Sequence, residues 1–294
     1  MRPLSRRLHA ELWLALMCVI WGATFSLVRD SLGGTDPWLF LALRFWVALP
    51  FCWILFGRRI DLRDRRTAGR GLLLGGVLFL AFLAQTLGLV HTTASRSGFL
   101  TSLYIVMVPL LLAAWQRRRP RWRSLAAALV SLAGVALMSG PNLQGGLAAG
   151  DALTVLCAAI FALQIILADR LPVAGRVWTL HFWQIATVAV LALAGWLLLG
   201  EPRLRPDGQL LVSLLFNGAL GTVVALGLQL RFQQETTPER AALVYSFEPV
   251  FAAGMAVLIL GERLGWPELA GGALILAALR LADPGPVESQ PGPV

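Results

Sequence analysis

Glu248 stands immediately before Pro249 in an apolar stretch, one helical turn after Tyr245, so a carboxyl and a phenol share one helix face, with Ala252 a turn further on. An acid among hydrocarbon can carry a proton or bind an amine; a salt bridge or a cap would explain it equally. A similar patch lies earlier, where Thr101, Tyr104 and Val108 share a face just before Pro109. Each proline removes a helix hydrogen bond and frees a carbonyl one turn back, so a kink or hinge is expected at both places. Gln85, Gln164 and Gln229 can each donate and accept at once, which suits a bond between helices or a zwitterionic ligand. Trp21 falls mid-run, away from the ends where tryptophan collects in membranes. Together Trp21, Gln85, Tyr104, Gln164, Gln229, Tyr245 and Glu248 are the candidate lining of a substrate cavity.

Arg44 and His181 sit in matching aromatic settings, Leu43-Arg44-Phe45-Trp46 and Leu180-His181-Phe182-Trp183. An arginine at the centre of a membrane helix costs on the order of 3 kcal/mol, so Arg44 must snorkel or find a partner. These two residues, with Pro109 and Pro249, are read as gating or helix-bracing positions.

The elements that must hold these groups follow from composition. Hydrophobic residues make up 57% of the 294 and charged residues 14%, with a mean hydropathy of +0.71. Soluble domains carry roughly a quarter charged residues, so this is an all-α polytopic membrane protein. Apolar runs of spanning length fall at 12–28, 37–56, 71–90, 97–116, 122–139, 152–168, 177–199, 209–230, 241–260 and 266–282. The Pro/Gly-rich tail 283–294 has no apolar period and is expected to be a disordered cytoplasmic tail.

The ten runs say nearly the same thing twice. Arg44 and His181 are 137 residues apart, while Gln85, Thr92-Thr93 and Arg96 recur 144 residues later as Gln229, Thr236-Thr237 and Arg240; Pro109 recurs 140 later as Pro249. A duplicated unit with an odd number of spans inserts upside down, which predicts two inverted five-helix repeats, residues 11–140 and 151–282. All cationic side chains other than histidine are arginines, concentrated in alternate connections. That bias puts both termini in the cytoplasm of a cell whose inner (plasma) membrane holds the protein.

Other chemistries lack their residues. Cys18, Cys52 and Cys157 fall singly inside runs, and His9, His91 and His181 are scattered, so neither a disulfide framework nor a metal site is expected. No phosphate-cradling loop, metalloprotease or nucleophile-elbow motif occurs, which argues against an enzyme, and no cofactor is implied. A net charge of +9 comes from short loops without a stacking platform, which fits topology and anionic lipid rather than nucleic acid. Asp151, after Gly145-Gly146 and just ahead of an apolar run, reads as a helix N-cap.

Ile20-Trp21-Gly22-Ala23, Arg44, the stretch from Thr92 to Pro109, and Glu248-Pro249-Val250 leading to Leu260-Gly261-Glu262-Arg263-Leu264 together resemble the EamA-type members of the drug/metabolite transporter superfamily. The resemblance covers about residues 10–282. It departs where His181 replaces an arginine and where Glu262-Arg263 has no acidic mate in the first half. It implies export of amino acids or other small metabolites by alternating access from a cavity built by spans 1–4 and 6–9, with spans 5 and 10 peripheral. Expected partners are a small-molecule substrate and the bilayer, with proton coupling and homodimerisation as candidates. A channel would need a continuous polar stripe, and a non-transporting assembly or lipid-binding subunit would use small-residue faces such as Gly71 with Gly75 or Gly271-Gly272.

Overall fold

The computed structural model describes residues 4–139, 149–251 and 265–282. In hydrocarbon a chain must satisfy its backbone internally, and the apolar runs accordingly fold as helices. They are α1 (Leu4–Ser31), α2 (Pro37–Phe56), α3 (Arg65–Val90), α4 (Ala94–Thr101), α5 (Tyr104–Trp115), α6 (Trp122–Ser139), α7 (Ala149–Arg170), α8 (Val177–Leu199), α9 (Gly208–Leu215), a π-helical segment Phe216–Val224, α10 (Ala225–Phe232), α11 (Pro238–Tyr245) and α12 (Trp266–Leu281). Among the described residues, extended pairing is confined to the isolated bridge between Thr35 and Leu204.

Among the described residues seven helical stretches are long and apolar enough to cross a membrane: Arg6–Ser31, Pro37–Arg59, Arg65–Val90, Arg96–Trp115, Ala149–Arg170, Val177–Leu199 and Gly208–Glu235. Trp122–Met138 and Leu269–Leu281 are shorter apolar helices. The ninth expected span is described only to Phe251, and Ala252, the motif Leu260-Gly261-Glu262-Arg263-Leu264, Gly145-Gly146 and the tail 283–294 lie outside the described residues. Surface and interior are reversed relative to a soluble domain. Leu198 is 81% exposed while Gln164, Asn217 and Thr222 are at most 1% exposed, as expected of a bundle bathed in lipid.

The long connections gather at two ends of the bundle. At the end holding the N-terminus, Arg176 Nη1 donates to Asp61 Oδ2 (2.8 Å) and Arg70 Nη1 to the Leu171 carbonyl (3.0 Å). At the other end Asp36 N donates to the Arg203 carbonyl (2.8 Å) and Gln209 Nε2 to Asp30 Oδ2 (3.3 Å).

Side-chain caps start the helices. Asp36, Asp64, Thr93, Asp207 and Thr237 each accept a backbone N–H in the first turn that follows. Hydrogen bonds from the Thr67 hydroxyl (2.6 Å) and amide (3.0 Å) hold the Asp64 carboxyl below the usual carboxylate range, with Arg176 adding to the effect. Asp151 is different from the cap expected of it: α7 already begins at Ala149, and the carboxylate is spent on side chains across the bundle.

The expected helix breaks exist but not at the prolines. The chain turns at Ser102-Leu103 and Ser246-Phe247, while Pro109 lies within α5. Serine hydroxyls donate to carbonyls at both turns, Ser102 Oγ to that of Gly98 (2.9 Å) and Ser246 Oγ to that of Leu243 (2.6 Å), a competition that bends helices. Both breaks obey the 144-residue offset, which sets Tyr104 opposite Glu248 and Thr101 opposite Tyr245 in place of the Val108–Glu248 correspondence given by the prolines.

Glycines allow the closest approaches. A Cβ on Gly71 would stand 2.4 Å from Trp183 Cβ and one on Gly75 2.7 Å from the Gln184 carbonyl, which seats α3 on α8. Gly134 of α6 and Gly271 of α12 meet backbone to backbone, each Cβ position 2.5–2.6 Å from the other's carbonyl oxygen. Gly272 faces open space.

Candidate functional site

Three polar constellations occupy the bundle. In the middle, Trp21 of α1 donates through Nε1 to the Gly221 carbonyl (3.0 Å), and its ring meets Tyr245 edge to face at 5.9 Å. Tyr104 and Tyr245 are 6.5 Å apart, centre to centre. Glu248 is half-buried. Among the described residues Glu248 has no hydrogen bond or ion pair.

From Tyr245 a hydrogen-bonded chain of amides runs towards the N-terminal end. Tyr245 Oη donates to Gln233 Oε1 (2.7 Å), Gln233 Nε2 to the Ile165 carbonyl (2.6 Å), and Gln229 Nε2 to Gln233 Oε1 (3.2 Å). Gln164 and Gln229 exchange two bonds, 3.2 and 3.1 Å. All four side chains are at most 1% exposed. A buried amide left unpaired is expensive, and here each pairs with the next. Gln85, the third glutamine of the expected lining, is half-buried on α3 and outside this chain.

Midway along the eighth run the π-helical segment receives both halves of the aromatic echo. Arg44 Nε donates to Thr222 Oγ1 (3.0 Å), with its guanidinium 4.5 Å from the Phe82 ring centre and 5.6 Å from that of Phe45. It therefore finds a partner rather than snorkelling. His181 Nε2 donates to the Val223 carbonyl (2.9 Å), and the Gln184 amide lies 3.2 Å from His181 Nδ1. Adjacent residues of one wide turn thus anchor α2 and α8. Stretches of π-helix within α-helices are rare and cluster at functional sites.

Two ion clusters close the ends. At the N-terminal end Glu11 accepts from Arg240 Nε and Nη2 (2.7 and 3.0 Å), Arg7 Nε (3.0 Å) and Thr236 Oγ1 (3.2 Å). Arg240 Nη1 also donates to the Leu279 and Ala282 carbonyls. At the other end Asp151 accepts from Arg96 Nη2 (2.5 Å) and Thr92 Oγ1 (3.1 Å). A cleft of about 580 Å³ beside the first cluster is lined by Arg6, His9, Arg231, Phe232 and Glu235. The middle constellation is packed rather than hollow: Tyr245 and Gln229 are each 1% exposed and Tyr104 7%.

Of the residues expected to line a cavity, Trp21, Tyr104 and Tyr245 meet ring to ring and Tyr245 leads through Gln233 to Gln229 and Gln164, while Gln85 stands apart and Glu248 makes no hydrogen bond to any of them among the described residues. Glu11, Asn217, Thr222 and Gln233 were missed. Asn217 and Thr222 did carry a signal, being polar within an apolar run; Gln233 lies just past its end.

A transporter of Archaeoglobus fulgidus, described as uncharacterized, is 31% identical over 276 residues, covering 93% of this chain and 85% of that protein. A probable biotin transporter of Pseudomonas aeruginosa is 27% identical over 91% of this chain and 95% of its own. A solved crystal structure shares the fold with a TM-score of 0.73 over 94% of this chain and 96% of that one, at 21% identity. The EamA-like transporter family matches residues 8–140 and again 148–282. With nearly every residue inside one match or the other, the chain belongs to the EamA-like transporter family and is a multi-pass membrane transporter of small molecules, not an enzyme.

Proposed function

We propose that this protein is a secondary transporter of the inner membrane that exports small amino-acid-like or amphipathic metabolites by alternating access, using ten spans in two inverted five-helix repeats, 11–140 and 151–282. The observation that carries this reading is the pair of ion clusters. Arg240 and Arg96 are 144 residues apart and their acids, Glu11 and Asp151, 140 apart, yet the two clusters lie at opposite ends of the bundle. Each joins an arginine of one half to an acid of the other. Opening one while its counterpart stays shut is what alternating access requires.

Further support comes from the two stretches matched by the family and from the arginines. Arg58, Arg59, Arg63, Arg65, Arg66 and Arg70 crowd the N-terminal end, whereas the connection after α8 has Arg203 and Arg205 offset by Glu201 and Asp207. In this reading that asymmetry favours cytoplasmic termini. Trp21, Gln85, Tyr104, Gln164, Gln229, Tyr245 and Glu248 line the substrate path in this reading. Glu248, lacking an ion-pair partner among the described residues, serves as the proton site or amine ligand.

Purified protein in liposomes tests the proposal. Wild type is expected to move labelled amino acids or amphipathic metabolites, with biotin included because one relative is named for it, and Glu248→Gln to lose coupling to an imposed proton gradient. Flux of none of them, with or without the gradient, would remove the transporter mechanism proposed here. Single-channel currents in a planar bilayer would replace it with a channel.

A further inference from the structure

Building on the transporter reading, we infer that Arg44, Asn217 and the bare face of Gly221 form the subsite for a cargo carboxylate, and that the cargo carries an N–H or O–H donor beside that carboxylate, as α-amino and α-hydroxy acids do.

Arg44 is 4% exposed and spends only Nε on the protein, through Thr222. Among the described residues its Nη1 and Nη2 have no hydrogen-bond partner and no carboxylate is within ion-pair reach. Phe82 and Phe45 hold the guanidinium plane without using an N–H. The free edge is the forked donor pair that fits a carboxylate with two parallel bonds. A buried cation in a membrane helix with no counter-ion is a place for an anion.

Asn217 supplies the second observation. It is fully buried, and Nδ2 donates to the Ser213 carbonyl (2.9 Å), but Oδ1 has no partner. Buried acceptors are nearly always paired, so this one awaits a donor. Arg44 Nη2 and Asn217 Oδ1 lie 3.6 and 3.7 Å from the point where a Cβ on Gly221 would stand, so the bare face of that glycine adjoins both. An acceptor beside the cation is wrong for a simple anion. It suits a ligand whose carboxylate meets Arg44 while its neighbouring donor meets Asn217. A purely structural arginine, stapling α2 to the π-helical segment through Thr222, would leave the Asn217 oxygen unexplained.

The test is thermal-shift titration of the purified full chain with leucine, methionine and phenylalanine, each beside its α-hydroxy acid, its desamino acid and its amide. Amino and hydroxy acids from at least one set are expected to raise Tm. The matching desamino acid should bind about tenfold more weakly and the amide not at all, since unpaired polar groups cost about that much. Arg44→Gln should abolish the shifts, and Asn217→Leu should erase the difference between hydroxy and desamino acids. Gly221→Ala guards against misfolding: its methyl meets Thr24 Cγ2 at 3.1 Å and leaves the Arg44–Thr222 bond in place. Its unliganded Tm should match wild type while binding weakens about tenfold.

An amide that binds as well as its acid, a Gly221→Ala protein that binds like wild type, or a panel in which nothing shifts Tm would overturn the assignment. Liposome flux separates the two proposals. Flux that persists unchanged in Gly221→Ala leaves the transporter and removes the subsite, whereas no flux of any compound by wild type removes both.

Discussion

Arg240 grips both carboxylate oxygens of Glu11 across 229 residues of chain, from α11 to α1. At the opposite end Arg96 Nη2 donates to Asp151 Oδ2, between α4 and α7. Both latches are formed together.

Each latch stands within two helical turns of a native cysteine, Cys18 after Glu11 on α1 and Cys157 after Asp151 on α7, both fully buried. Glu11→Gln weakens its latch by on the order of 1–2 kcal/mol, a factor of about 5–30 in population. Single-cysteine versions of the protein should then show faster maleimide labelling of Cys18, and Asp151→Asn faster labelling of Cys157. Unchanged labelling in both would show that the ion pairs only brace helix ends.

Gln233→Ala strips the Tyr245 hydroxyl and the Ile165 carbonyl of their partner and leaves Gln229 one bond short. Each stranded buried group costs about 1–3 kcal/mol, so a clear drop in Tm is expected. Gln164→Leu combined with Gln229→Leu removes both ends of the exchanged amide pair and should cost less than the sum of the single changes. Additive losses in a double-mutant cycle would argue that the amides act independently.

Asp64 titrates below its unfolded value because the charged form accepts from Thr67. Its contribution to stability is therefore complete above the ordinary carboxylate range and is lost as pH falls through the folded-state value. Asn caps helices about as well as Asp but does not titrate. Asp64→Asn should leave Tm near neutrality almost unchanged and flatten part of its fall in acid. An acid limb identical to that of wild type would remove this residue from the account.

Gly271→Val forces α12 off α6, since even a Cβ there would stand 2.5 Å from the Gly134 oxygen. Separation of this helix pair is expected to lower Tm more than it lowers flux per folded molecule in liposomes. Complete loss of flux from a protein that remains folded would place the pair within the transport machinery.

Helix positions were legible because hydrocarbon leaves the backbone little choice: the runs 37–56, 122–139 and 177–199 became α2, α6 and α8 residue for residue. The breaks near Pro109 and Pro249 were legible in kind but misplaced, since serine hydroxyls at 102 and 246 rather than missing amides turn the chain. Thr92 and Arg96 were visible as echoes of Thr236 and Arg240. Their acids were not, because periodicity within one helix says nothing about a partner in another half of the chain. Asn217 and Thr222 lay in plain view inside an apolar run, but their meaning depends on a wide turn that no residue type announces.

That wide turn also changes how the eighth run should be read. An α-helical wheel drawn from Gly208 onward loses phase across Phe216–Val224, because each π turn holds more residues than an α turn. Carried through without correction, it would assign wrong neighbours to every side chain beyond Val224, Gln229 and Gln233 included. The segment lets a single rod present Asn217 and Thr222 towards α2 and, further along, Gln229 towards α7; a uniform α-helix of the same sequence would have to give up one of those alignments.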